Sequence, residues 1–315
     1  MRFLIMGAGA IGTVVGGFLA RAGHQVALVG REEHMRAIRT GGLRISGIWG
    51  EHQVGTLEAA TVPGTFADRT FDVIIITVKS YDTRAAVNAI RNFVKPETLV
   101  CAYQNGLGNA DVLAEAVGWE RTVGVRAIYG VRLPVPGAAE VTVIANPTAL
   151  GAFVPGPHVD RVRALAQMMH DAGLPTVYED NIAAVIWGKV AYNCALNPLS
   201  ALLDVPYGRL AEMEETRAIM NAVIDELYRV GASLGVNLSP ATAQDYQALF
   251  YDKLVPPTAV HYASMREDLR HGRRTEIDAL NGAIVRYGAA HGVTCPTNLL
   301  LTRLVHARER ICLNQ

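Results

Sequence analysis

The sequence offers little that would make it a disulfide-stapled, metal-bound or polyanion-binding protein. Its 315 residues include four cysteines, and Cys101, Cys194, Cys295 and Cys312 stand apart with no C-x-x-C pair. That scatter predicts reduced thiols in a cytoplasmic protein rather than a disulfide framework. The nine histidines form no cluster with cysteines or carboxylates at ligand spacing, so no metal is expected. Lys plus Arg and Asp plus Glu balance at 29 each, leaving no excess charge to draw nucleic acid or an anionic membrane. Internal repeats and low-complexity tracts are absent. The length allows two domains with substantial cores.

One long uncharged run does occur, from Phe3 to Ala20 behind Arg2, and it has the outline of a signal peptide or membrane span. Glycines at 7, 9, 12, 16 and 17 argue against a helix throughout, because each costs about 1 kcal/mol relative to alanine. The segment reads instead as a buried strand at Phe3–Met6, a glycine turn, a helix to Ala22, and a second strand at Gln25–Val29. Gly7, Gly9 and Gly12 give G-x-G-x-x-G between strand and helix, the setting in which that pattern signals dinucleotide binding. The first glycine permits the tight turn, the second lets a pyrophosphate approach, and the third lets helix and strand pack closely. Ala8, Ala10 and Ile11 complete the turn, whose helical N–H groups would meet the phosphates.

Cofactor choice turns on the residues just after the second strand. An acidic residue there holds the ribose 2′-hydroxyl of NAD, whereas a cation accommodates the 2′-phosphate of NADP. The chain has Gly30-Arg31, and an arginine fork suits a phosphate dianion, so NADP (as NADPH) is expected. The alternatives are a ribose contact from Glu32 or Glu33, or an Arg31 that merely pairs with a neighbouring glutamate.

Further along, Gly41–Leu57 reads as short β segments, and Phe71–Val78 as a parallel strand buried on both faces. Lys79 follows at the carboxyl end, where open α/β sheets bind ligands. A helix over Asp82–Phe93 and a strand at Leu99–Tyr103 come next, closed by Gln104-Asn105-Gly106-Leu107-Gly108. Asn-Gly commonly marks a plain turn, yet here its amide could meet the nicotinamide half of a cofactor. Strands at Thr122–Ile128 and Glu140–Phe153, a helix from Pro157 to Ala172, and a strand at Thr176–Tyr178 complete the α/β pattern. Beyond Glu179 the apolar residues recur at helical spacing. One helix is expected through Leu210, Met213, Met220, Val223, Leu227, Val230 and Leu234, ended by Gly235, and others over Ile277–His291 and Asn298–Cys312. The fold class expected is α/β: a Rossmann-type doubly wound sheet over 1–178, then an all-helical domain over 179–315.

The helical half opens with Trp187-Gly188-Lys189-Val190-Ala191-Tyr192-Asn193-Cys194-Ala195-Leu196-Asn197-Pro198. Lys189, Asn193 and Asn197 are four apart, so successive members rotate by only about 40° on a helix. They are either a solvated polar stripe or, on a largely buried helix, three aligned groups that need partners. A second constellation holds Ser264 and Arg273-Arg274-Thr275-Glu276-Ile277-Asp278; Thr275-Glu276 could equally open a helix.

Taken in order, these motifs resemble the ketopantoate reductase (2-dehydropantoate 2-reductase) family over nearly the whole length. The resemblance rests on GAGAIG, Arg31, VKS at Lys79–Ser80, QNGLG around Asn105, W-x-K-x-x-x-N-x-x-x-N-P, Ser264-Met265 with Asp268, and R-x-T-E-I-D-x-L-N-G ending at Gly282. It implies NADPH-dependent reduction of a 2-oxo acid, with substrate bound between the domains. Lys189 matches a catalytic lysine that gives a proton to the carbonyl oxygen as hydride arrives, and Glu276 matches a catalytic glutamate that can pair with it. Asn193, Asn197 and Ser264 match substrate contacts, and Lys79 and Asn105 match cofactor contacts. His261, Tyr207 and Arg126 depart from the family's asparagine, asparagine and small residue. The leading expectation is conversion of ketopantoate to pantoate, in pantothenate and coenzyme A synthesis. The alternatives are a sibling enzyme acting on another branched or aromatic 2-oxo or 2-hydroxy acid, or a dinucleotide-binding redox sensor without turnover. A small-molecule substrate is the partner expected, with no nucleic acid or membrane, and a homodimer is compatible with the reading.

Overall fold

A computed structural model describes residues 1–55 and 57–313. The chain forms two compact units. The first comprises Met1–Gln104 with Asn109–Ile182, and the second Asn105–Gly108 with Ala183–Gln315.

The first unit runs β1 (Arg2–Met6), α1 (Ala10–Arg21), β2 (Gln25–Val29), α2 (Glu32–Gly41), β3 (Leu43–Gly47), β4 (His52–Val54), β5 (Leu57–Ala60) and β6 (Val73–Ile76). It continues through α3 (Thr83–Ile90), β7 (Leu99–Ala102), α4 (Asn109–Val117), β8 (Thr122–Arg132), β9 (Ala138–Ala152), α5 (His158–Asp171) and β10 (Thr176–Tyr178). The sheet order is β4-β3-β9-β8-β7-β6-β1-β2-β5, with β10 on β9. From β5 to β8 all pairings are parallel, while β8–β9 and β3–β4 are antiparallel.

Both faces of this sheet are covered. Phe3, Ile5, Val73 and Ile75 pack into one apolar cluster with Val14, Val15 and Leu19 of α1. Leu4, Ile74 and Ile76 pack into another with Val87 and Ile90 of α3. A period-2 strand with both faces buried reads as one apolar run, which is why Val73–Ile76 shows no alternation. This is the doubly wound arrangement.

The second unit is helical: α6 (Ile182–Leu203), α7 (Tyr207–Glu212), α8 (Glu214–Ser233), α9 (Ala243–Leu249), α10 (Ser264–Arg270), α11 (Asn281–Ala290) and α12 (Pro296–Leu313). Its core gathers Trp187, Val190, Cys194 and Leu199 of α6 with Val223, Ile224 and Leu227 of α8 and Ile284 of α11. The buried Glu226 carboxylate holds the start of α12, accepting from the Thr297 and Asn298 N–H groups (2.8 and 2.9 Å) and from Asn298 Nδ2 (2.7 Å).

Several elements differ from expectation. The single helix through Leu210–Leu234 is two, because Met213 adopts extended backbone (φ −95°, ψ 132°) between α7 and α8. The Thr216 hydroxyl secures the break by donating to Leu210 C=O (2.5 Å). Residues on both sides of the break, Leu210 of α7 and Met220 and Val223 of α8, pack into one apolar cluster. The α-helix near Ile277 begins later, at Asn281, after a 3₁₀ turn over Ile277–Ala279. The division of the chain falls at Ile182 rather than Tyr178. Glu179 N–H still bonds Leu150 C=O (2.7 Å), and Ile182 fills the space over Gly124 and Gly151 in the sheet unit.

Candidate active site

In the sheet unit the glycine turn sits at the carboxyl end of β1. Gly7 and Ala8 both donate their N–H to Val29 C=O (3.0 and 2.7 Å), folding the turn against the end of β2. Gly7 has φ +107°, and a Cβ there would lie 2.5 Å from Val78 N, so only glycine fits. At Gly12 a Cβ would lie 2.5 Å from Thr77 Oγ1 and 2.6 Å from Gly7 O. That closeness is used: the Thr77 hydroxyl donates to Gly7 C=O (2.8 Å).

Gly9 behaves differently. It is exposed, its φ is −82°, and a Cβ there would meet only Gly7 O, at 3.9 Å. The protein's own packing therefore requires the first and third glycines and not the second. Gly9 is also the N-cap of α1, and no side chain caps that end. The first-turn amides of Ala10, Ile11 and Gly12, lacking carbonyl partners one turn earlier, suit an anion at this helix end. These residues fit the pyrophosphate of a dinucleotide.

Arg31 is exposed at the N-cap of α2, just beyond β2. Its pairing with a neighbouring glutamate does not occur. Glu32 instead accepts from Arg39 (2.8 Å) two turns along α2, and Arg31 makes no ion pair with any described residue. Lys79 is half-buried just past the carboxyl end of β6. Because β2, β1 and β6 are adjacent and parallel, Arg31, the glycine turn and Lys79 line one edge of the sheet. Arg126, half-buried on β8, donates to Pro147 C=O (3.1 Å). Burial lowers the pKa of its guanidinium, opposed by the Glu179 carboxylate.

In the helical unit, α6 carries Lys189, Asn193 and Asn197 on one stripe, beside the fully buried Ala191 and Cys194. Lys189 and Asn193 are half-buried and Asn197 is buried, so the stripe is not a solvated face. Pro198 lies inside this helix. It lacks an N–H for the Cys194 carbonyl four residues earlier, and Asn281 Nδ2 donates to that carbonyl instead (3.1 Å).

Lys189 Nζ donates to Asn105 Oδ1 at 2.6 Å. The family resemblance implies a cofactor contact for Asn105, and the structure sets its amide on the lysine ammonium. Its loop is held within the helical unit by Leu107 N–H donating to Ala279 C=O (2.7 Å). Gly106 has φ +89°, and a Cβ there would lie 2.4 Å from the same carbonyl oxygen. Glu276, half-buried, accepts from Ala279 N–H through its own C=O (3.0 Å). One short turn thus carries Glu276 and anchors the loop that presents Asn105 to Lys189.

The Tyr207 hydroxyl donates to Asn197 Oδ1 (2.8 Å), and Tyr207 N–H donates to His261 C=O (2.9 Å). Ser264 is exposed at the start of α10, where Ala263 N–H donates to the Ser200 hydroxyl of α6 (3.2 Å). Among the described residues no three His, Cys, Asp or Glu side chains are grouped to hold a metal ion, and no helix is long and apolar enough to cross a membrane.

Sequence reasoning did not anticipate the parts played by Thr77, Asn281 or the Tyr207 hydroxyl. For Asn281 a signal existed: a proline inside an apolar helix calls for an outside donor to the carbonyl it strands. Thr77 and Tyr207 act on chain neighbours 70 and 10 residues away, with no local pattern to announce them.

Two family models match the chain. "Ketopantoate reductase PanE/ApbA" covers residues 3–155, and "Ketopantoate reductase PanE/ApbA C terminal" covers 181–309. A 2-dehydropantoate 2-reductase of Aquifex aeolicus is 39% identical, over 98% of this chain and 97% of that protein. Among solved structures, a PanE/ApbA family ketopantoate reductase from Ralstonia eutropha JMP134 is 34% identical with a TM-score of 0.88, covering 99% of each chain. A D-mandelate dehydrogenase with NADH and anilino(oxo)acetate is 27% identical with a TM-score of 0.89, again over 99% of each chain.

Proposed function

This chain belongs to the ketopantoate reductase family, and from that premise we propose that it reduces ketopantoate to pantoate with NADPH, in pantothenate and coenzyme A synthesis. It is an oxidoreductase of the kind acting on CH–OH groups. The observation that carries the reading is the Lys189 ammonium, half-buried on α6 and held by Asn105 Oδ1 at 2.6 Å. A positioned ammonium is a general acid, and it also stabilises negative charge developing on a carbonyl oxygen.

When bound, the nicotinamide cofactor supplies the hydride to carbon 2 of the substrate. The chain's residues do the rest. Gly7–Gly12 and the first turn of α1 take the pyrophosphate, with Gly9 leaving room for it. Arg31 takes the 2′-phosphate, and Lys79 contacts the cofactor at the same sheet edge. Lys189 holds a proton at Nζ and gives it to the oxygen on carbon 2. Asn105 keeps that ammonium in place, and Glu276 favours its charged form. Asn193, Asn197 and Ser264 hold the substrate.

A second reading is favoured by the substrate-side departures: a buried Tyr207 bonded to Asn197, and His261 beside it. There the same machinery would act on another branched or aromatic 2-oxo acid. A redox sensor without turnover would have no use for a lysine oriented in this way. The test is NADPH oxidation, followed by absorbance, against a panel of 2-oxo acids including ketopantoate. Highest kcat/KM for ketopantoate is expected. Preference for another acid would establish the sibling reading, and no oxidation with any 2-oxo acid would refute both.

A further inference from the structure

Asn197 is 6% exposed, and its two polar atoms meet different surroundings. Oδ1 accepts from the Tyr207 hydroxyl (2.8 Å), while Nδ2 donates to no described residue. Among the described residues, the fully buried side-chain polar atoms without a partner are Gln104 Oε1 and Asn281 Oδ1. The Asn197 nitrogen is not one of them, so it keeps an edge open to solvent. An otherwise buried amide with one unpaired donor edge needs a partner from outside the protein.

The hydrogen-bonding inventory sets which end of the amide faces out. A phenol has one proton to give, and Asn197 Oδ1 is the acceptor Tyr207 has among the described residues. Flipping the amide would leave that buried proton with no acceptor, at a cost comparable to a lost hydrogen bond. Burial raises the tyrosine's pKa, so the hydroxyl remains a donor at any pH the enzyme meets. The ring is fixed as well: it packs edge-on against Tyr192 (centroids 5.9 Å apart) and is 6% exposed.

We infer that Tyr207 is a positioning residue, whose hydroxyl turns the Asn197 amide so that Nδ2 offers its N–H groups to an acceptor oxygen of the substrate, such as its carboxylate. This rests on the proposed contact between Asn197 and a 2-oxo acid. It makes the departure at Tyr207 a device for binding, with the proton transfer left to Lys189. The effect therefore belongs in KM and not in kcat.

The test is a double-mutant cycle of Tyr207→Phe and Asn197→Ala. Each of the four proteins is assayed for steady-state reduction of its best 2-oxo acid and for oxamate affinity with NADPH present. Tyr207→Phe keeps the ring and its packing. It is expected to raise KM and oxamate Kd about three- to tenfold, the span of one net hydrogen bond, with kcat and NADPH affinity near the parent's. Asn197→Ala should cost at least as much, and adding Tyr207→Phe to it should cost nothing further. Asn197→Asp, which replaces the outward nitrogen with an oxygen and leaves Tyr207 untouched, should raise oxamate Kd more than about tenfold. Unchanged oxamate affinity in either Asn197 variant overturns the proposal. So does a Tyr207→Phe effect of equal size with and without Asn197. If the parent reduces no 2-oxo acid, the proposed reaction fails, and the oxamate cycle alone then decides the role of Tyr207.

Discussion

Gly9 and Gly12 belong to one motif, yet the structure assigns them opposite sensitivities. A valine at Gly9 meets no left-handed backbone, because φ there is −82°. Its Cβ would meet nothing nearer than Gly7 O at 3.9 Å. The cost to the fold is a less suitable N-cap, about 1 kcal/mol, or about 2–4 °C in Tm for a unit of this size. At Gly12 the same change drives Cβ to 2.5 Å from Thr77 Oγ1 and 2.6 Å from the Gly7 carbonyl oxygen. Overpacking of that kind costs about 1–3 kcal/mol or more, and it also displaces the Thr77–Gly7 hydrogen bond. The cofactor reverses the order of harm. A side chain at Gly9 fills the space above the open end of α1, and each charge-assisted hydrogen bond it blocks there is worth about 1.5–3 kcal/mol. With two such bonds blocked, NADPH affinity should fall by at least about 100-fold. Thermal denaturation and calorimetric titration with NADPH measure the two effects separately. Gly9→Val should melt within a few degrees of the parent and fail to bind; Gly12→Val should melt well below both. A Gly9→Val protein that binds NADPH as the parent does would place the phosphates elsewhere. One that melts as low as Gly12→Val would show that the fold itself needs this glycine.

Arg31→Ala should weaken NADPH about tenfold or more and leave NADH within about twofold, because only the former carries the 2′-phosphate; equal losses would make the arginine structural. Lys189→Ala should lower kcat by about 10²–10⁴ while NADPH affinity holds. Glu276→Ala should harm substrate binding, and the double variant should lose far less than the sum. A folded Lys189→Ala protein with near-parental turnover would end the proposed mechanism. His34 predicts a pH dependence of stability. Gly137 N–H donates to its Nδ1 (3.0 Å), so the proton sits on Nε2, which donates to the buried Thr13 hydroxyl (3.0 Å). Burial lowers its pKa below the ordinary 6.5. The unfolded chain then takes up the proton first as pH falls, so this stabilisation is complete above about pH 6.5 and is lost progressively below it. Melting from pH 8 to pH 5 should show the parent's advantage over His34→Gln shrinking on the acid side; a constant difference would mean that His34 is not titrating.

The chain's local patterns were enough for the framework. Phe71–Val78 read as a doubly buried strand, formed in the structure over Val73–Ile76, because an apolar run bounded by turns has few other outcomes, and the G-x-G-x-x-G between strand and helix left little choice at Gly7 and Gly12. The four-residue spacing of Lys189, Asn193 and Asn197 placed them on one face through nothing more than 3.6 residues per turn. Smaller elements were harder. The helix α2 buries only His34, Met35 and Ile38, too short an apolar stripe to stand out among charged neighbours. The break at Met213 interrupts no apolar spacing at all.

What tertiary structure alone decided was which partner each polar group takes. Three charged residues in a row, Arg31-Glu32-Glu33, permit several pairings; folding α2 gave Glu32 to Arg39 and left Arg31 exposed. Asn105 follows a strand of the sheet unit in sequence, but Ala279, far along the chain, holds its loop among the helices and turns its amide to Lys189. Pro198 announces a stranded carbonyl, and only the packing of α11 beside α6 supplies Asn281 to satisfy it. The physical reason is the same in each case. Apolar periodicity is written into neighbouring residues, because it needs only a face to bury. A hydrogen bond needs two atoms within about 3 Å, and here those atoms come from segments that the chain itself keeps far apart.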